Sequence, residues 1–103
     1  MRARLLAFPA AALAVGLSLA ASAPTAVRLE GMKFDPPTVT VRRGDTVTWN
    51  NKDLVPHTAT SQGKFDSGNI APGQSFSRKM DQPGQFDYIC TYHPGMKGQV
   101  VVK

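Results

Sequence analysis

An all-β chain, folded as a Greek-key β-sandwich of about seven to eight strands behind an N-terminal signal peptide, is what the sequence predicts. Three observations point there. Turn signals recur at short intervals: Asp35-Pro36-Pro37, Arg43-Gly44-Asp45, Asn50-Asn51-Lys52-Asp53, Ser67-Gly68-Asn69, Ala71-Pro72-Gly73 and Gln82-Pro83-Gly84. The runs between them alternate apolar and polar residues, the period of a half-buried strand. From residue 27 onward, no stretch of ten residues has helical period. Strands at this spacing read as antiparallel neighbours in a sandwich.

The N-terminal segment stands apart. Arg2 and Arg4 precede an uncharged, mostly apolar run over residues 5–19, which ends in Ala20, Ala21, Ser22 and Ala23. These are the three regions of a secretory signal, with cleavage expected within residues 20–23. An uncleaved membrane anchor is the competing reading, because no charge falls between residues 5 and 27. Against it, Pro9 and Gly16 interrupt the run, and its apolar part falls short of the roughly 20 residues of a membrane span. No cysteine lies near the cleavage region, so lipid attachment there is excluded. The expectation is an exported, periplasmic protein with residues 1–23 as signal and 24–103 as one domain, touching a membrane only if the segment stays uncleaved.

Along that domain, residues 27–32 open the first strand. Thr38-Val39-Thr40-Val41 and Thr46-Val47-Thr48-Trp49 follow, each with its apolar residues on one face and threonines on the other. Phe86, Tyr88 and Cys90 share a face in the same way, and residues 99–102 close the chain as a β-branched strand. Setting Arg2 and Arg4 aside leaves ten of the 12 basic residues against seven acidic ones, a net charge of +3, and they are scattered. A nucleic-acid surface needs a denser basic patch with interleaved aromatics, so nucleic acid is not an expected partner.

A domain of about 80 residues is marginal for a single hydrophobic core, and small exported domains commonly add disulfides or a metal. Cys90 is the only cysteine, which rules out an internal disulfide. It opens Cys90-Thr91-Tyr92-His93-Pro94-Gly95-Met96, in which a thiol, an imidazole and a thioether recur every three residues just after a strand. In a loop that folds back on itself, with Pro94-Gly95 supplying the bend, all three can face one centre. His57, 33 residues before Cys90 and next to Pro56, is the other histidine of the chain.

Each of these residues alone has an ordinary structural reading. Cys90 would be a small buried hydrophobe, His57 a surface or capping residue, and Met96 a core filler. Their coincidence in an exported β protein points instead to a metal held by His57, Cys90, His93 and Met96. Met32 and Met80 lack that spacing and read as core or edge residues. Two imidazoles and a thiolate with a weak axial thioether form the donor set of blue copper. Zinc accepts the first three donors, but a thioether suits it poorly, and copper binds such sites more tightly.

With these residues in place, the chain resembles the cupredoxins, and its short Cys-x-x-His-x-x-Met segment is most similar to the amicyanin and plastocyanin branch. The resemblance spans Gly31-Met32-Lys33-Phe34, Val47-Thr48-Trp49-Asn50, Pro56-His57, Gly84-Gln85-Phe86-Asp87-Tyr88 and the segment from Cys90 to Gly98. It implies an eight-stranded sandwich that binds one type 1 copper through His57, Cys90, His93 and Met96 and acts as a mobile one-electron carrier. Two positions depart from the family pattern. Thr58 stands where an asparagine often ties the two ligand segments together, so a looser link to Thr91 and an altered redox potential are expected. Tyr92 and Gly95 stand where that branch tends to have proline and phenylalanine, which changes the apolar rim around His93.

The expected partners are a redox donor and an acceptor that dock transiently near His93, against Val55, Pro56, Pro94 and Gly95, with a monomer as the carrier. Lys97 and Lys52 are placed to steer an acidic partner. Three other functions use the same residues. A periplasmic copper carrier or metallochaperone is the main alternative, although such proteins often use Met-rich or His-rich tracts. A Cys-His hydrolase would take His93 as base, but so short a chain leaves little room for a substrate pocket and gives Met96 no role. A structural zinc site is the third.

Overall fold

The computed structural model describes residues 25–103. The signal-peptide expectation falls on residues 1–23, outside the described residues. Nine strands are present among them, and no helix: β1 (Thr25–Leu29), β2 (Phe34–Asp35), β3 (Thr38–Val41), β4 (Thr46–Asn51), β5 (Thr60–Ser61), β6 (Phe65–Asp66), β7 (Ser75–Lys79), β8 (Gly84–Cys90) and β9 (His93–Val102). They form two sheets, one in the order β2-β1-β4-β7 and the other β3-β9-β8-β5-β6. The sandwich is as expected, but it is not purely antiparallel. Strand β1 runs parallel to β4, and β3 parallel to β9; parallel pairs need long connections, and both join strands that are distant in the chain.

The alternating runs do what their period dictates. Val27, Leu29, Val47 and Trp49 from one sheet meet Val39, Val41, Tyr88, Val100 and Val102 from the other in one buried core. Trp49 is its centre, edge-on to Tyr88 at 5.5 Å and tilted against Phe65 and Phe76 at 5.5 and 5.6 Å. Gly44 turns β3 into β4 with a φ of +95°, a conformation that a side chain would resist, and Asp45 caps the turn by accepting the Arg42 N–H at 2.9 Å. Met80 is buried in the core, whereas Met32 is 41% exposed and adopts a φ of +60°.

The last strand differs from its expected extent. It begins at His93 instead of residue 99, and a two-residue turn, Thr91-Tyr92, joins it to β8. Cys90 and His93 are therefore cross-strand partners. The register shifts between Ile89, which faces Lys97, and Cys90, which faces His93, so Pro94, Gly95 and Met96 have no partner on β8. The expected ligand loop is a tight hairpin with a bulge on its second strand, the device by which a sheet re-aims side chains near its edge.

Candidate metal centre

Four chain segments meet at this end of the sandwich. His57 lies between β4 and β5, where its backbone pairs with Ile70: the His57 N–H reaches the Ile70 carbonyl at 3.1 Å, and the Ile70 N–H reaches the His57 carbonyl at 2.7 Å. This pairing fixes His57 beneath the surface, where it is fully buried. Cys90 ends β8, also fully buried, and His93, half-buried, opens β9 across from it.

Nδ1 of His57 and Nδ1 of His93 each lie 3.6 Å from Sγ of Cys90. One donor atom from each residue falls within 4.8 Å of the other two. Bonds of about 2.0 Å to nitrogen and about 2.3 Å to sulfur place two donors of one ion roughly 3.5 Å apart. The three donors fit a shared ion in both spacing and chemistry. Met96, the fourth expected ligand, is buried in the adjoining core within the β9 bulge.

The surroundings hold each donor. The Thr58 N–H points at Cys90 Sγ at 3.3 Å. Thr58 Oγ1 accepts the Thr91 N–H at 2.9 Å and lies 3.1 Å from Thr91 Oγ1. The link between the two ligand segments, expected to be loose with threonine at position 58, is thus closed by two contacts, because the hairpin brings Thr91 close enough for the short side chain. Thr60 Oγ1 extends the chain of hydroxyls, 3.0 Å from both Thr58 Oγ1 and Asp66 Oδ1.

Sequence reasoning missed the residue that sets the orientation of His57. Nε2 of His57 lies 2.7 Å from Oδ2 of Asp53, which is itself mostly buried. The carboxylate also accepts the Gly31 and Met32 N–H groups at 2.8 and 3.0 Å. Partial burial works against its ionisation, but the His57 hydrogen bond and the two backbone donors outweigh this and hold the carboxyl below its ordinary range. Buried Asn51 supports the turn: its side-chain amide donates to the Val55 and Ile70 carbonyls, both at 2.9 Å, and its Oδ1 accepts the Asp53 N–H. The available signal was the Asp53-x-x-x-His57 spacing, since metal-bound imidazoles usually donate their second N–H to a carboxylate or carbonyl.

Around the centre, Leu54 is 94% exposed, and Val55, Pro56, Tyr92, Pro94 and Gly95 are exposed as well. Lys52 and Lys97 are exposed beside these segments.

Residues 21–103 match the family of copper-binding proteins described as plastocyanin/azurin. Amicyanin-alpha of Methylorubrum extorquens is 41% identical over 107 residues, covering 90% of this chain and 87% of that protein. Amicyanin of Paracoccus denitrificans is 34% identical over 83 residues, covering 75% of this chain and 63% of that one. The structure of the oxidized state of an amicyanin variant superposes with a TM-score of 0.74 at 33% identity, covering 77% of this chain and 81% of the other.

Proposed function

The chain belongs to the plastocyanin/azurin family of copper-binding proteins, and from that premise we propose that it is a small exported blue copper protein carrying single electrons between redox partners. The observation that supports this most is the convergence of His57 Nδ1, Cys90 Sγ and His93 Nδ1 within 4.8 Å. One type 1 copper suits this donor set, and when bound it supplies a one-electron Cu(II)/Cu(I) couple. In this reading His57, Cys90 and His93 would be the strong donors, and Met96 a weak one.

The protein's contribution is rigidity. His57 is fixed through both its backbone and its ring, Cys90 by its strand and the Thr58 N–H, and His93 by its pairing with Cys90. Groups held in place by the fold need little rearrangement when the charge they face changes, which is what an electron carrier requires of its site. His93 is the more exposed of the two histidines, so a partner approaches from its side, over the apolar residues 54–56 and 94–95. Small, short-lived interfaces are usual for such encounters. The protein is a carrier and not an enzyme, and it works as a monomer with one donor and one acceptor. Export rests on Arg2, Arg4 and the apolar run that follows them.

A periplasmic copper carrier using the same ligands makes the opposite demand, since it must release its ion. Stopped-flow mixing of the copper-loaded protein with a one-electron reductant, and separately with a copper chelator, tests the distinction. Electron exchange far faster than metal loss is expected. Metal loss that outpaces electron exchange would favour the copper carrier.

A further inference from the structure

The two histidines of the centre are held in different ways. The ring of His57 is gripped at its far side, Nε2, by Asp53. Among the described residues His93 Nε2 has no hydrogen-bond partner; its ring meets Cys90 Sγ through Nδ1 and the ring of His57 edge-on at 5.3 Å, and is otherwise placed by the chain on either side of it. On the preceding side are the two turn residues, and both are anchored. Thr91 is tied to Thr58 by its N–H and its hydroxyl. Tyr92 reaches further: its phenol donates to Oδ1 of Asn69 at 2.8 Å, and its ring stands edge-on to that of His93, with centroids 6.5 Å apart and planes at 89°.

Asn69 belongs to a well-fixed segment. Its neighbour Ile70 pairs with the His57 backbone and accepts from the Asn51 amide. Ser67 binds Ala59 in both directions, its N–H to the Ala59 carbonyl at 3.0 Å and the Ala59 N–H to its Oγ at 2.7 Å. The Gly68 N–H is capped by Asp66 at 2.9 Å. The 66–70 segment therefore shares the frame of His57, and the Tyr92 phenol joins the His93 hairpin to that frame.

We propose that Tyr92 and Asn69 form a latch in which Tyr92 is a positioning residue for His93, fixing that histidine relative to His57. This rests on the reading of His93 as a copper ligand. The bond is exposed and competes with water, so its effect is modest, but it acts on the side of His93, whereas the other side-chain ties of the hairpin to the His57 segment fall at Cys90 and Thr91. Releasing it lets His93 swing within the turn while Cys90 and His57 stay in place.

The test uses the full-length exported protein with Tyr92→Phe, which keeps the ring and loses only the hydroxyl, Asn69→Ala, and the double variant. Each single change is expected to speed copper loss to a chelator by about 2- to 10-fold, the range of one net hydrogen bond. Each should also alter the electron paramagnetic resonance spectrum in the same sense, and the double variant should go no further than the larger single one. In metal-free protein, both single variants should speed amide hydrogen exchange at Tyr92 and His93 while leaving His57 and Cys90 unchanged. Additive effects, or a silent Tyr92→Phe, would overturn the latch. If wild-type protein gave no blue site, the copper assignment would fail, and the metal-free exchange data would still decide whether Tyr92 and Asn69 fasten the hairpin.

Discussion

Oδ2 of Asp53 sits 2.7 Å from Nε2 of His57, and the carboxylate is held in turn by the N–H groups of Gly31 and Met32. An ionised carboxylate only accepts, which assigns the ring proton to Nε2 and turns the lone pair of Nδ1 toward Cys90. Met32 contributes its N–H from a φ of +60°, a backbone state that non-glycine residues adopt at a cost. Asp53→Ala is expected to weaken copper binding about 10- to 100-fold, read by competition with a chromogenic chelator. An unchanged affinity would mean that the backbone pairing with Ile70 orients His57 unaided.

Thr58 acts through two atoms. Its N–H faces the Cys90 sulfur, and its hydroxyl accepts the Thr91 N–H. Thr58→Val keeps the first and removes the second. The expected cost is about 1–2 kcal/mol of stability in urea unfolding, together with a changed reduction potential measured by voltammetry. An unaltered potential would show that the Thr58–Thr91 bridge is structural only.

Gly98 faces Tyr88 across the β8–β9 pair, and a Cβ placed there would clash with both Cζ and Oη of the tyrosine. Tyr88 cannot retreat, since it is enclosed by Phe34, Trp49 and Phe65. Its burial pushes the phenol up to about 12. Gly98→Ala is expected to cost about 1–3 kcal/mol, seen as a Tm lowered by roughly 4 °C or more. Adding Tyr88→Leu removes the clashing ring and should make the cost of Gly98→Ala smaller than in the wild-type background; an equal cost in both backgrounds would place the strain elsewhere.

Lys52 and Lys97 are exposed beside the segments that carry His57 and His93. If they steer an acidic redox partner, the second-order rate should fall as ionic strength rises, and Lys97→Glu should lower it further at low salt. A rate indifferent to salt would reject steering and leave the apolar residues to set the encounter.

Much of this was legible in the sequence because it depends on local pattern. Val39, Val41, Val47 and Trp49 declare their face by alternation alone, and Cys90 and His93 declare a shared centre by their spacing. The parallel pairings of β1 with β4 and of β3 with β9 were not legible, since they depend on contacts between distant segments. Strand β7 was also hidden: it is an edge strand with only Phe76 packed inward, so it shows little alternation. The hairpin was misread as a loop because Pro94 and Gly95 look like a turn, whereas the turn falls at Thr91-Tyr92 and the proline sits in a bulge that needs no partner. Asn69 gave no signal, because polar residues beside turns are ordinary, and Asp53 had only its spacing from His57. Only the fold reveals which side chain each one meets.

A copper–thiolate bond at Cys90 is tested most directly by the visible absorption spectrum of the purified protein after addition of Cu(II), measured with Cys90→Ala in parallel. The expected result is an intense thiolate-to-copper charge-transfer band that is absent from the variant. A colourless wild-type protein, or a colour that survives Cys90→Ala, would rule out a type 1 copper held by Cys90.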